Sequence, residues 1–250
     1  MSLQACADIV RKGDLDRFLA AMAAPVSARR ILFPLYAFNV EVARAPWVTQ
    51  ESMIAEMRLQ WWRDVLEEIA EGRDVRKHEV TTELAAVLTP EAAKMLDGLV
   101  NARRWDIYSD AFEDQDHFEE YLAKTGGRLM SVAAQLLAPN LDRDQLQIVS
   151  KLGMSAALAR FLQAVPDLES KGRIPLVDGR SEAILTLAQN ALAELPSLKA
   201  LPAEARPALS EGWQTRPLLT QITKNPARVA EGSVGLSEFS KRLRLFFAAH

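Results

Sequence analysis

An all-α fold follows from three features of this 250-residue chain. Apolar residues recur at helical spacing nearly throughout, strand-like alternation is absent over any useful length, and proline, glycine and Asp/Ser signals fall where helices must stop or start. With 49% hydrophobic residues, the chain can bury one large core, so residues 1–250 are read as a single domain.

The elements follow in order. Leu3–Lys12 forms a short helix that stops at Gly13, and Asp14 caps a second running to about Met22, with Leu15, Phe18, Leu19 and Met22 on one side. Ser27 caps the next, Ala28–Ala45, whose inward stripe is Ile31, Leu32, Leu35, Phe38 and Val42. Pro46 stops it, and Pro34 predicts a kink or a later start. Gln50–Glu71 is a long helix with Met53, Met57, Trp61, Leu66 and Ile69 facing in, Glu56, Arg63, Glu67 and Glu68 facing out, and Gly72 at its end. Arg73–Val80 is an exposed connection. Thr82–Leu88 and Pro90–Asp110 follow as helices, Pro90 suiting a first turn. The helix from about Asp116 to Leu137 contains Gly126-Gly127, a pair that marks close packing or a bend. Asp142–Val165 is ended by Pro166. Ser181–Leu195, a proline-spaced stretch from Pro196 to Pro217, a short helix at Leu218–Lys224 and a terminal helix from about Leu236 complete the chain.

Several function classes are excluded. A net charge of −3 and a pI near 5.8 do not suit phosphate-backbone binding, so no nucleic acid partner is expected. The single cysteine, Cys6, has no disulfide partner within the chain, and with three scattered histidines it makes no ordinary zinc site. The N-terminal segment lacks the pattern of an export or transit peptide, and the apolar runs fall short of the roughly 20 residues that span a bilayer. The expected location is cytoplasmic, or peripheral at the inner membrane. His78 and His117 lie in polar contexts and read as surface residues. Asp110, Glu113 and Asp114 read as a solvated junction. Asp64, Glu67, Glu68 and Glu71 read as a solvated helix face.

Four segments carry a specific pattern. They are Leu35-Tyr36-Ala37-Phe38-Asn39-Val40-Glu41-Val42-Ala43-Arg44-Ala45-Pro46-Trp47, Met57-Arg58-Leu59-Gln60-Trp61-Trp62-Arg63, Glu120-Tyr121-Leu122-Ala123-Lys124-Thr125-Gly126-Gly127, and Gly153 through Lys171-Gly172-Arg173-Ile174-Pro175-Leu176. In this order they resemble the signature blocks of the squalene/phytoene synthase family, from about Phe18 to Leu176. The resemblance implies a single all-α domain of the isoprenoid-synthase type, with helices around a central cavity.

The same resemblance shows what is missing. Family members carry paired aspartates that hold Mg²⁺, which in turn holds a substrate diphosphate. Here Ala43 and Trp47 stand at the two acidic positions of the first motif, and Val40 stands where a diphosphate-binding arginine belongs. In the second motif Ala164 replaces the first aspartate, Asp167 and Leu168 fall at the closing acidic pair, and Ala157 and Arg160 replace a glutamine and an asparagine. That leaves too few hard oxygen ligands for two Mg²⁺ ions, so no metal and no catalytic residue is assigned. Mg²⁺ belongs only to the alternative that the chain is a prenyltransferase coupling isoprenoid diphosphates in terpenoid biosynthesis. The implied function is a non-catalytic binding or assembly protein, like the degenerate members of the family connected with respiratory complex I. A second alternative is an isoprenoid or lipid carrier.

If the cavity persists, Phe18, Tyr36, Phe38, Trp47, Tyr121, Phe161 and Leu162 are its expected apolar lining, with Trp47 plugging the mouth. Arg160 is expected to pair with Glu41 or Asp167, or, as a ligand-binding candidate, to meet a single phosphate or carboxylate head. Leu236, Phe239, Leu243, Phe246 and Phe247 share one face of the terminal helix, residues 236–250, with Lys241, Arg242 and Arg244 opposite. Such amphipathicity suits packing on the domain or docking on a membrane or protein partner.

Overall fold

The structure, a computed structural model, describes residues 2–249, and the side chains at 242 and 246–249 lie outside the described set. Thirteen α-helices form in the order α1 Leu3–Gly13, α2 Leu15–Ala23, α3 Val26–Arg44, α4 Ser52–Ala70, α5 Thr81–Ala85, α6 Pro90–Ala102, α7 Gln115–Leu122, α8 Arg128–Leu137, α9 Arg143–Ser170, α10 Ser181–Ala193, α11 Arg206–Leu209, α12 Thr215–Lys224 and α13 Glu238–Ala249, with no strand among the described residues. Asp14 caps α2 by accepting from the Arg17 N–H at 2.9 Å. Asp142 and Gln145 form a full capping box on α9, so both local signals act as their chemistry requires.

Several boundaries move for physical reasons. α3 begins at Val26 behind Pro25 rather than at a Ser27 cap, and it runs unbroken through Pro34. All nine residues from Leu32 to Val40 are buried, so α3 is a central helix enclosed on every side, with no single inward stripe. Its packing outweighs the ladder bond that Pro34 cannot donate. α9 likewise continues past Pro166 to Ser170, and Gly172, just beyond its Lys171 cap, has a φ of 76° that suits a residue without a side chain. By length and a mean hydropathy of 1.2, α9 matches a membrane span, but 56% of that window is buried inside the fold. The helix predicted to reach Asp110 stops at Ala102, and a 3₁₀ turn, Arg103–Asp106, takes over.

The buried face of α4 is Ala55, Leu59, Trp62, Leu66 and Ile69, together with Val65 and Glu68. Met53 and Met57 therefore face out, 75% and 66% exposed. Glu68, expected in solvent, is buried and bonded by the Arg76 guanidinium and backbone N–H. His78 is wedged edge-on against Trp61 and Trp62 rather than free on the surface. Cys6 is fully buried, and burial, with Glu83 and Glu79 nearby, raises its thiol pKa to about 11.

The core has two apolar bodies. One gathers residues of α1, α3, α4, α6 and α8, and the other gathers α7, α9, α10 and α12. They meet where α9 crosses a π-turn, Ala123–Gly127. A Cβ on Gly153 would lie 2.7 Å from the Gly126 carbonyl oxygen and 2.8 Å from the Gly127 Cα. The glycines thus set the helix separation, and with it the width of the space beside them.

α13 rests against α2, where Lys241 pairs with Asp16 at 3.2 Å. Lys241 faces the domain, while Phe239 and Leu243 are exposed. The face expected to pack is therefore turned outward at these two residues. Phe246, Phe247 and Arg242 fall outside the described side chains.

Candidate functional site

A cavity of about 350 Å³ lies between the two apolar bodies. α9 supplies one wall from a single helical stripe: Ala157, Arg160, Phe161, Ala164, Asp167 and Leu168. α3 supplies Asn39 and Ala43, the short turn after it supplies Trp47, and α7 with the π-turn supplies Tyr121, Leu122, Thr125 and Gly126. The structure thus gathers Ala43, Trp47, Ala157, Arg160, Ala164, Asp167 and Leu168 around one space, although they lie on two distant segments. Val40 lines an adjoining recess, which shares Asn39, Ala43 and Trp47 with the cavity.

The expected lining needs correction. Phe18 packs on Phe33, with ring centroids 5.8 Å apart, and Phe38 packs edge-on against Trp62 at 5.4 Å. Tyr36 and Leu162 are fully buried. None of these four lines the cavity, because α3 turns Asn39 and Ala43 toward it and spends its aromatic rings on the core. In their place stand Arg17, Arg103, Asp106 and Lys171, so the space is charged rather than a plain apolar tunnel.

Each cation on the lining faces a carboxylate, and Arg17 and Arg160 share Glu211. Arg17, 7% exposed, donates through Nε to Glu211, 2% exposed, and through Nη1 to Asp14 at 2.6 Å. Arg160 does not pair with Glu41 or Asp167. Its Nη1 lies 3.7 Å from the Glu211 carboxylate, and its Nη2 donates to the Glu211 carbonyl at 2.7 Å. Glu41 pairs with Arg44 at 3.1 Å, and Asp167 with Lys171 at 2.6 Å. Arg103 donates to Asp106 at 3.1 Å and to the Tyr121 hydroxyl at 2.6 Å, and that hydroxyl donates to Asp106 at 3.0 Å.

The electrostatics follow from burial and pairing. Burial alone would raise the Asp14 pKa, but Arg17, Arg160 and the Arg17 backbone N–H hold it below the usual carboxylate value. Burial would lower Arg17, and Glu211 and Asp14 reverse that. Burial dominates at Asp106 and Tyr121 and pushes both upward despite Arg103. The Tyr36 hydroxyl and the Glu211 Oε1 are buried without a hydrogen-bond partner.

Trp47 lines the cavity, the adjoining recess and an outer cleft. Lys171 Nζ sits 4.9 Å from its ring centroid and the Arg173 guanidinium carbon 5.1 Å. An indole clasped by two cations occupies the place where the first motif would put its second carboxylate. Among the described residues no group of three or more His, Cys, Asp or Glu side chains converges in a way that suits a metal ion. The donor set does not fit Mg²⁺: Asp106 is tied to Arg103 and Tyr121, and Asp167 to Lys171.

Sequence reasoning missed Arg17, Arg103, Asp106 and Glu211. Arg17 carried one signal, since it stands three residues after the capping Asp14. Glu211 carried none, because it lies in the proline-spaced stretch and reaches Arg17 across 194 positions.

The fold is shared with a solved dehydrosqualene synthase in complex with ligand, at a TM-score of 0.79 and 18% identity over 98% of this chain and 94% of that one. Curated relatives include the NADH dehydrogenase (ubiquinone) complex I assembly factor 6 of Bos taurus, 25% identical over 68% of this chain, and its homolog in Drosophila melanogaster, 30% identical over 64%. The chain spans about half the length of these relatives, 51% and 50%. The sequence profile described as Squalene/phytoene synthase matches residues 10–230, and the chain belongs to that family.

Proposed function

We propose that this chain is a non-catalytic member of its family that helps to assemble a respiratory NADH dehydrogenase complex, working as a peripheral protein at the inner membrane. One observation carries the non-catalytic part. The positions that face the cavity where diphosphate chemistry needs hard oxygen donors are Ala43, Trp47, Ala164 and Leu168, and the nearby Asp167 is tied to Lys171. Ionising a prenyl diphosphate builds charge on the leaving group, and this wall offers nothing to hold the metal that would stabilise it. The assembly part rests on the relatives, which are named for complex I assembly.

Inactivating the gene in its host and resolving detergent-solubilised membranes on native gels tests the role. The expected result is loss or truncation of the NADH dehydrogenase complex, restored by a plasmid copy of the gene. An assembled and active complex in the gene's absence would contradict it.

A further inference from the structure

The cavity between the two apolar bodies and the recess beside it share Arg17, Asn39, Ala43, Trp47 and Arg103. Asn39 stands apart in that set. It lies on α3 among buried apolar residues and is 5% exposed, yet no hydrogen bond reaches its side-chain amide among the described residues. A buried amide without partners carries a desolvation cost that a bound group with both a donor and an acceptor would remove. The arginines beside it are already engaged, Arg17 by Glu211 and Asp14, and Arg103 by Asp106 and the Tyr121 hydroxyl.

Charge on the walls is balanced. Arg17, Arg103, Arg160 and Lys171 are four cations, and Glu211, Asp14, Asp106 and Asp167, which face them, are four carboxylates. The recess adds two further cations, Lys12 and Arg44, and two further carboxylates, Glu41 and Glu79. An anion entering this space must displace one of the carboxylates or lie beside it, and a cation meets the same difficulty with the arginines. An uncharged ligand meets neither. The rest of the cavity wall is largely apolar, formed by Trp47, Leu122, Phe161 and Leu168 with the short side chains of Ala157 and Ala164.

We propose that the cavity is a binding site for a small uncharged amphiphile, whose head both donates to and accepts from the Asn39 amide while its apolar body lies along Trp47, Leu122 and Phe161. This inverts the charge preference of a diphosphate site. It also goes beyond the assembly role, which concerns a protein partner and stands or falls separately.

Isothermal titration of the full chain with octanamide, octanoate and octyl phosphate, whose chains are matched in length and whose heads differ in charge, tests the proposal. Octanamide should bind at least about tenfold tighter than either anion, because desolvating a charge against a balanced wall is uncompensated. Asn39→Leu, similar in shape but without the amide, should weaken octanamide about fivefold, the scale of one neutral hydrogen bond, and leave octanoate unchanged. Ala164→Phe, which fills the cavity from α9, should weaken octanamide at least as much. Both variants are read alongside an unchanged circular dichroism melt, and the ranking of the three ligands in the unaltered protein tests the proposal even where a variant fails to fold. Binding of octanoate or octyl phosphate as tight as that of octanamide, no binding of octanamide, or octanamide binding untouched by both variants would each overturn the proposal.

Discussion

The two sides of Trp47 differ in how they treat charge. Inside, Arg17, Arg103, Arg160 and Lys171 each face a carboxylate of the same chain. Outside, Arg173 meets two backbone carbonyls and forms no salt bridge among the described residues, although, like Arg103 inside, it keeps one buried guanidinium N–H without a partner. The inner cavity gathers the degenerate motif positions on α3, the turn after it and α9, and its charges form a self-neutralised network. The outer cleft shares Lys171 with that network and adds Arg173, whose guanidinium is bonded to backbone carbonyls rather than to a carboxylate.

The largest effect expected on the inner side comes from Glu211→Ala. It leaves Arg17, 7% exposed, with Asp14 alone and Arg160 without its carboxylate, and breaking a buried pair in this way costs up to about 3–5 kcal/mol. Urea denaturation measures it. A loss under about 1 kcal/mol, the scale of a surface pair, would show that the inner network is solvated and the contrast false.

Next comes Gly153→Ala, whose Cβ meets backbone of the π-turn at 2.7 and 2.8 Å. Pushing α9 from the π-turn should cost about 1–3 kcal/mol and loosen the cavity wall that carries Ala157 and Arg160. The same denaturation experiment reads it.

The acid limb of stability sharpens the comparison further. Asp14 has a folded pKa below its ordinary 3.8, so its contribution is fully present above that value and is lost as pH falls through the lower folded one. Thermal melts from neutral to strongly acid pH should therefore show a drop below about pH 4, and Asp14→Asn should flatten that drop while lowering stability at neutral pH. An unchanged acid limb in Asp14→Asn would remove Asp14 from the account.

The smallest effect belongs to Asp167→Asn. Its pair with Lys171 is largely exposed, and such pairs are worth about 0–1 kcal/mol. A larger loss would mean that this surviving acid of the second motif does more than hold Lys171.

The fold was readable because helix periodicity and caps are local: Asp14, Asp142 and the Gly126-Gly127 pair each act through neighbours in sequence or across one helix crossing, whereas the end of α9 was not, because packing carries it past Pro166. α4 was turned the wrong way at Met53 and Met57 because its apolar residues occupy two adjacent stripes, and only the partner helices decide which is covered. The degenerate positions of both motifs were readable from the family pattern, and all but Val40 converge on one cavity. Its charges were not, since Arg17–Glu211 and Arg160–Glu211 join segments 194 and 51 positions apart. Arg173 stands in one of the family-like segments, yet its bonding is set by the carbonyls of a turn more than 60 positions away.

The most direct test of a self-neutralised, non-catalytic cavity is pyrophosphate release by purified protein supplied with farnesyl diphosphate and Mg²⁺. The account predicts release no faster than in buffer alone, with and without Mg²⁺. Mg²⁺-dependent release that scales with protein concentration would contradict it.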